Sequence, residues 1–175
     1  IFPRDFSITI GFGSVLRRHG QETVKWNIKI HMKKITFIIS EARLHEQLSI
    51  MALSASLKNA GHETSLVFFQ NDPLNRDRIV KEIKKENPDF IAFSFMSCVK
   101  EHYVELGRYI KQHINIPIII GGPAATFDSD LCNFNDSPFD AVCIGEGDIS
   151  IVDFVNNYSS SGNSIALHNF VMRSR

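Results

Sequence analysis

Ile35 to Ile39, Thr64 to Phe69, Phe90 to Phe95, Ile116 to Ile120 and Phe139 to Ile144 form a series of short apolar runs, and what lies between them is mostly amphipathic. Runs this short, with little polar alternation, read as strands buried on both faces. Strands separated by helices cannot pair as hairpins; they line up in parallel, with the helices covering both sides. The alternation therefore predicts a doubly wound α/β domain with a five-stranded parallel sheet.

The intervening segments support this. Leu44, Leu48, Met51 and Ala55 recur at helical spacing, widened by Ile50, Leu53 and Leu57, and Asn59-Ala60-Gly61 closes that helix. Arg76 to Glu86 is charged except for Ile79, Val80 and Ile83. It must stop near Asn87, because the residue before Pro88 is driven out of the helical region. Val99, Tyr103, Leu106 and Ile110 mark a third helix to about His113, a less regular helical piece is expected near Ser129 to Phe134, and Ile149 to Tyr158 forms the last helix. Asp128 and Asp130 are expected to cap a helix rather than hold a metal.

The chain falls into three parts: residues 1–31, an extension of doubtful structure; residues 32–158, the domain proper; and residues 159–175, a linker and the start of a further C-terminal region. Phe170-Val171-Met172 is expected to open that region as a strand. At 175 residues there is room for one full core. Lys plus Arg equals Asp plus Glu at 19 each, so no overall field points to nucleic acid or an anionic membrane. No apolar stretch approaches the roughly 20 residues that span a bilayer, and Arg17-Arg18 follows rather than precedes the apolar Phe6 to Leu16, the wrong order for a secretory signal. Three unevenly spaced cysteines, Cys98, Cys132 and Cys143, fit free thiols in a cytoplasmic protein, and none forms a Cys-x-x-Cys pair.

In such a sheet the ligand sits outside the carboxyl ends of the strands, so the loops there carry the function. A phosphorelay receiver needs an Asp after the third strand, where Ser94 stands. A flavin phosphate or dinucleotide site needs glycines after the first strand, and Ser40-Glu41-Ala42-Arg43 has none. Glycines gather instead after the fourth and fifth strands, as Gly121-Gly122-Pro123 and Gly145-Glu146-Gly147. Two neighbouring loops without side chains make a slot, with Ser94 and Ser97 across from it.

Gly-Gly-Pro-Ala-Ala-Thr-Phe followed by Phe-Asp-Ala-Val-Cys-Ile-Gly-Glu-Gly-Asp, together with Ala60-Gly61-His62-Glu63 and Asn87 to Ser94, resembles the amino-terminal cobalamin-binding domain of cobalamin-dependent radical S-adenosylmethionine enzymes, over roughly Lys33 to Tyr158. The resemblance implies a flavodoxin-like fold, with the nucleotide tail of cobalamin beside the Gly-Gly turn and the corrin over the strand ends. It assigns Gly121, Gly122 and Pro123 to the tail, Gly145, Glu146 and Gly147 to the corrin, and Ser94, Met96 and Ser97 to the opposite wall; Ser40, at the end of the first strand, is a further cofactor-binding candidate. The loop after the first strand lacks the Asp-x-His-x-x-Gly of methionine synthase, so cobalamin is expected without a histidine ligand; His45 reads as a solvent-facing or capping residue. A Cys-x-x-x-Cys-x-x-Cys run is also absent. The iron–sulfur cluster and S-adenosylmethionine are accordingly expected only on a catalytic domain outside this chain, which would supply it in cis or trans.

The leading reading is a cobalamin-binding module of a truncated radical enzyme, serving methyl transfer or radical chemistry and catalysing nothing alone. The alternative is a flavodoxin-like interaction or scaffold domain with an empty slot. Hydrolase or transferase chemistry by Ser40, His45 and Asp72 lacks a nucleophile elbow or a base-orienting pair. A bulky residue at Gly122 is expected to abolish cofactor retention and leave the fold intact.

Overall fold

The computed structural model describes residues 32–40, 44–69, 75–133, 136–158 and 169–173. The compact unit begins at Lys33. Its strands are β1 (Lys34–Ser40), β2 (Glu63–Phe69), β3 (Phe90–Ser94), β4 (Ile118–Gly121), β5 (Ala141–Cys143) and β6 (Phe170–Met172). The helices are α1 (Leu44–Asn59), α2 (Arg76–Glu86), α3 (Lys100–His113), α4 (Pro123–Phe127) and α5 (Ser150–Asn157). Single 3-10 turns at Ser97–Val99 and Ser129–Cys132 complete the connections.

The strands form one sheet in the order β2-β1-β3-β4-β5-β6. The first five are mutually parallel, as their helical crossovers require, and β6 runs antiparallel to β5. The expectation of five strands is thus corrected to six. Phe170-Val171-Met172 is a strand, as expected, and it joins this sheet, with Val171 opposite Val142 and Phe170 opposite Cys143. Nothing in the local sequence distinguishes a strand that joins the preceding sheet from one that begins a new one.

Side chains alternate across the sheet with period two. Ile35, Phe37, Ile39, Phe90, Ala92, Ile119 and Ala141 face α1 and α5 and pack on Ile50, Leu57, Ile151, Phe154 and Val155. Ile38, Ile91, Phe93, Ile118, Ile120 and Val142 face the other way, onto Ile79, Val80 and Ile83 of α2 and Tyr103, Leu106 and Ile110 of α3. Tyr103 centres this second layer, stacked on Phe95 at 4.6 Å and edge-on to Phe69 and Phe93. β1 is buried from Ile35 to Ile39, as its unbroken apolarity predicts.

The start and finish of α2 follow the sequence. Asn87 takes the left-handed conformation (φ 48°, ψ 59°) that frees it from the helix ahead of Pro88, while its N–H still donates to Ile83 O at 2.9 Å. Helix α1 departs from expectation. Leu48 and Met51 are 65% and 66% exposed, and Ala55 is exposed as well; the core-facing residues are Ile50 and Leu57, with Leu53 half-buried. Both stripes have helical spacing, so periodicity could not choose between them; the choice is made by where the sheet lies. Asp128 does not cap a helix with its side chain but pairs with Lys100 at 2.8 Å. Asp140 holds the bottom of the sheet, accepting from Ile118 N–H and Lys111 Nζ at 2.7 Å each.

Candidate functional site

β1 and β3 are neighbours, and the chain crosses from β1 to β2 on one side and from β3 to β4 on the other. The loops at their carboxyl ends therefore diverge, which is where open α/β sheets leave room for a ligand. Beside that point, on the α1/α5 face, lies a cleft of about 290 Å³. Its floor is Phe37, Ala92 and Ile119; one wall is Ser49, Ala52 and Leu53 of α1, the other Ile151 of α5 and Phe170 of β6. Ser94, Gly121, Gly122, Cys143 and the loop Gly145 to Asp148 form its upper end.

Six of the residues chosen from sequence thus meet around one space: Ser94, Gly121, Gly122, Gly145, Glu146 and Gly147. Pro123, Met96 and Ser97 are not among the residues lining it. Pro123 is exposed at the first position of α4, and Met96 and Ser97 enter the 3-10 turn after β3. Ser40 ends β1 opposite Phe69, and the placement of its side chain lies outside the described residues, as do those of Glu41, Arg43 and His45 and the whole of Asp72. Ser49, Ala52, Leu53 and Phe170 were missed. Ser49 and Ala52, small residues three apart, carry a faint signal of a helix face kept low; Phe170 carries none, since it reaches the cleft only because β6 joins the sheet.

The glycines do different work. Gly122 has φ +88°, and a Cβ there would fall 2.8 Å from Ser94 Oγ and 3.1 Å from both Phe95 N and Phe95 O. Its missing side chain lets the turn after β4 lie against the end of β3, where Ala124 N–H donates to Phe95 O (3.2 Å). The expectation that Gly122 could be enlarged without harm to the fold is therefore corrected: the backbone of Phe95 occupies the space. Gly145 (φ +75°) has nothing within 4 Å of its Cβ position, so that loop is open. At Gly147 the nearest atom would be Leu53 Cδ2 at 3.2 Å, which brings α1 against the loop.

Thr126 ties the two glycine loops together. Its hydroxyl donates to Gly122 O (3.1 Å) and accepts from Gly145 N–H (3.0 Å). Ser94 is the exception among buried polar side chains. Thr36, His62, Ser137 and Ser150 all have hydrogen-bond partners, whereas no described residue partners the hydroxyl of Ser94, a residue that is 7% exposed and lines the cleft. A hydroxyl buried without a partner is costly, and a ligand that accepts from it removes the cost. Cys143 lines the same space, and burial pushes its thiol up to about 11, so it is a neutral, weakly polar wall rather than a nucleophile. Among the described residues no Lys or Arg lines the cleft, which suits a flat neutral group. Among the described residues no group of His, Cys, Asp and Glu could hold a metal ion, and no helix is long and apolar enough to cross a membrane.

Comparison with known proteins bears on the fold and the family. Over 110 residues the chain is 26% identical to an uncharacterised methyltransferase, PH0819, of Pyrococcus horikoshii, covering 62% of this chain and 24% of that protein. In fold it matches TsrM of Kitasatospora setae, a radical S-adenosylmethionine methyltransferase solved with cobalamin and a [4Fe-4S] cluster bound, with a TM-score of 0.68 at 11% identity over 82% of this chain and 28% of that one. It also matches the cobalamin-dependent S-adenosylmethionine radical enzyme OxsB, with a TM-score of 0.52 at 18% identity over 71% of this chain and 18% of that one. The chain thus spans between 18% and 28% of the length of these relatives. The B12 binding domain model matches residues 36–155, and because that is well over half of the 175 residues and includes every strand around the cleft except β6, this chain belongs to the B12-binding domain family.

Proposed function

We propose that the cleft takes the nucleotide tail of a cobalamin, leaving the corrin over the carboxyl ends of the strands, and that the protein presents the cofactor to a radical S-adenosylmethionine catalytic region. At about 290 Å³ the space is near the small end of ligand pockets, roughly 300–1,000 Å³, so it suits an aromatic base with part of its sugar and not a macrocycle. Phe37, Leu53, Ala92, Ile119 and Ile151 offer apolar surface to a flat ring. The Ser94 hydroxyl offers one donor at the upper end of that surface, fitting a ring nitrogen that accepts. This unpartnered hydroxyl is the observation that carries the reading.

Cobalt chemistry belongs to the cofactor; the chain positions it and excludes water from one side. Gly145, Glu146 and Gly147, open toward the strand ends, would lie next to the corrin. With the loop after β1 lacking Asp-x-His-x-x-Gly, no histidine of this chain is assigned to the cofactor. The relatives' names motivate methyl transfer or radical chemistry as the process served.

Hydroxocobalamin mixed with the full chain should co-elute on gel filtration with a shifted corrin band. Ser94→Ala should weaken retention about twofold to tenfold, the net value of one hydrogen bond, while leaving the stability of the unliganded protein equal or slightly higher because an unpartnered group is gone. Opposite signs in binding and stability separate this from a packing defect. If the wild-type chain loses all corrinoid on the column, the scaffold reading takes its place.

A further inference from the structure

The Gly145-Glu146-Gly147 loop is open at its own backbone yet bonded on both flanks. On the α4 side, Thr126 Oγ1 accepts from Gly145 N–H (3.0 Å). On the β6 side, Asn169 Nδ2 donates to Glu146 O (3.3 Å) and to Ser150 Oγ (3.2 Å), and Ser150 Oγ donates to Glu146 O (3.1 Å), a closed triangle. A carbonyl oxygen only accepts, so the carboxamide must turn its nitrogen toward Glu146. Asn169 is itself held, with φ 62° and its carbonyl accepting from Ile144 N–H at 2.8 Å. The next residue, Phe170, lines the cleft and packs its ring, tilted by 30°, against Phe154 with centroids 4.5 Å apart. The far end of β6 is fixed by Arg173, which donates from its backbone to Asp140 O (2.9 Å) and from its guanidinium to Ser137 O (2.7 Å).

We propose that Thr126 and Asn169 are positioning residues that fix the Gly145–Gly147 loop from two sides, so that β6, which lies beyond the family-matched residues 36–155, is part of the ligand-holding unit. The consequence for cofactor binding rests on the reading of the cleft given above; the consequence for the loop does not. A loop held in one shape before the ligand arrives loses less freedom on binding, and each removed hydrogen bond lowers affinity by that margin.

The test uses the full chain with four substitutions. Thr126→Val keeps shape and removes the hydroxyl; Thr126→Ser keeps the hydroxyl. Asn169→Gly keeps the positive φ and removes the carboxamide; Asn169→Asp keeps shape but sets an acceptor against Glu146 O. Amide exchange is read at Gly145 and at Ile151, whose N–H donates to Gly147 O (2.8 Å), and hydroxocobalamin affinity is read by absorbance titration. Exchange at Gly145 should rise roughly threefold to tenfold in Thr126→Val and stay near wild type in Thr126→Ser. Exchange at Ile151 should rise in Asn169→Gly and further in Asn169→Asp, and affinity should fall in the same orders. A purely space-filling role predicts the reverse, with the isosteric Val and Asp variants closest to wild type, and that order would overturn the proposal. If wild-type protein takes up no hydroxocobalamin, the cobalamin reading fails while the exchange orders still decide the clamp.

Discussion

Replacing Gly122 by alanine should unfold this domain more readily than any other single methyl added around the cleft. With φ +88° and ψ −175°, Gly122 occupies a region that residues with a side chain almost never enter, costing about 1–3 kcal/mol. The added Cβ also meets Ser94 Oγ at 2.8 Å and Phe95 N and O at 3.1 Å. The serine can rotate away; the Phe95 backbone cannot, because its N–H donates to Gly121 O (3.4 Å) and its carbonyl accepts from Ala124 N–H (3.2 Å). Overpacking against fixed atoms adds about 1–3 kcal/mol, for a total of about 2–6 kcal/mol. Gly145→Ala is the control, since φ +75° carries backbone strain and no clash, about 1–3 kcal/mol. Urea unfolding followed by circular dichroism, at a slope of about 2 kcal/mol/M, should place the Gly122→Ala midpoint about 1–3 M below wild type and clearly below Gly145→Ala. Equal midpoints for the two variants, or a Gly122→Ala midpoint within about 0.3 M of wild type, would refute the close-approach reasoning and return Gly122 to a ligand-facing role.

Two further predictions concern titratable groups. His62 is buried, accepts from Lys33 N–H at Nδ1 (3.3 Å) and meets Asn156 Oδ1 at Nε2 (3.1 Å); burial, ahead of every other influence, lowers its pKa. The unfolded chain then binds the extra proton first, so stability should fall as pH drops below about 6.5 toward the folded value, and His62→Gln should flatten the urea midpoint between pH of about 7.5 and 5.5. A thiol-reactive disulfide at pH of about 8 should modify exposed Cys98 quickly and Cys143 at least about tenfold more slowly, the latter being buried and raised to about 11; fast labelling of Cys143, followed by mass spectrometry, would contradict the closed cleft wall.

How much of this was legible in the sequence depends on whether a feature is local. The five parallel strands, the end of α2 at Asn87 and the two glycine loops follow from short stretches whose apolar runs, proline and bare backbone act on their immediate neighbours. The motif threonine and glycines were visible, but not that Thr126 bridges Gly122 and Gly145, because residues 19 apart meet only when β4 and β5 pair.

The amino-acid sequence by itself determined the α/β class, the end of the sheet at which a ligand can sit, and the residues able to form its rim. Only the tertiary structure decided which stripe of α1 faces inward, that β6 completes this sheet, that Gly122 is spoken for by the Phe95 backbone, and that Ser94 is left with an unanswered hydroxyl. The reason is physical: periodicity and turn chemistry are properties of a chain segment, whereas burial, close approach and an unpartnered donor exist only once distant segments exclude water from the same place.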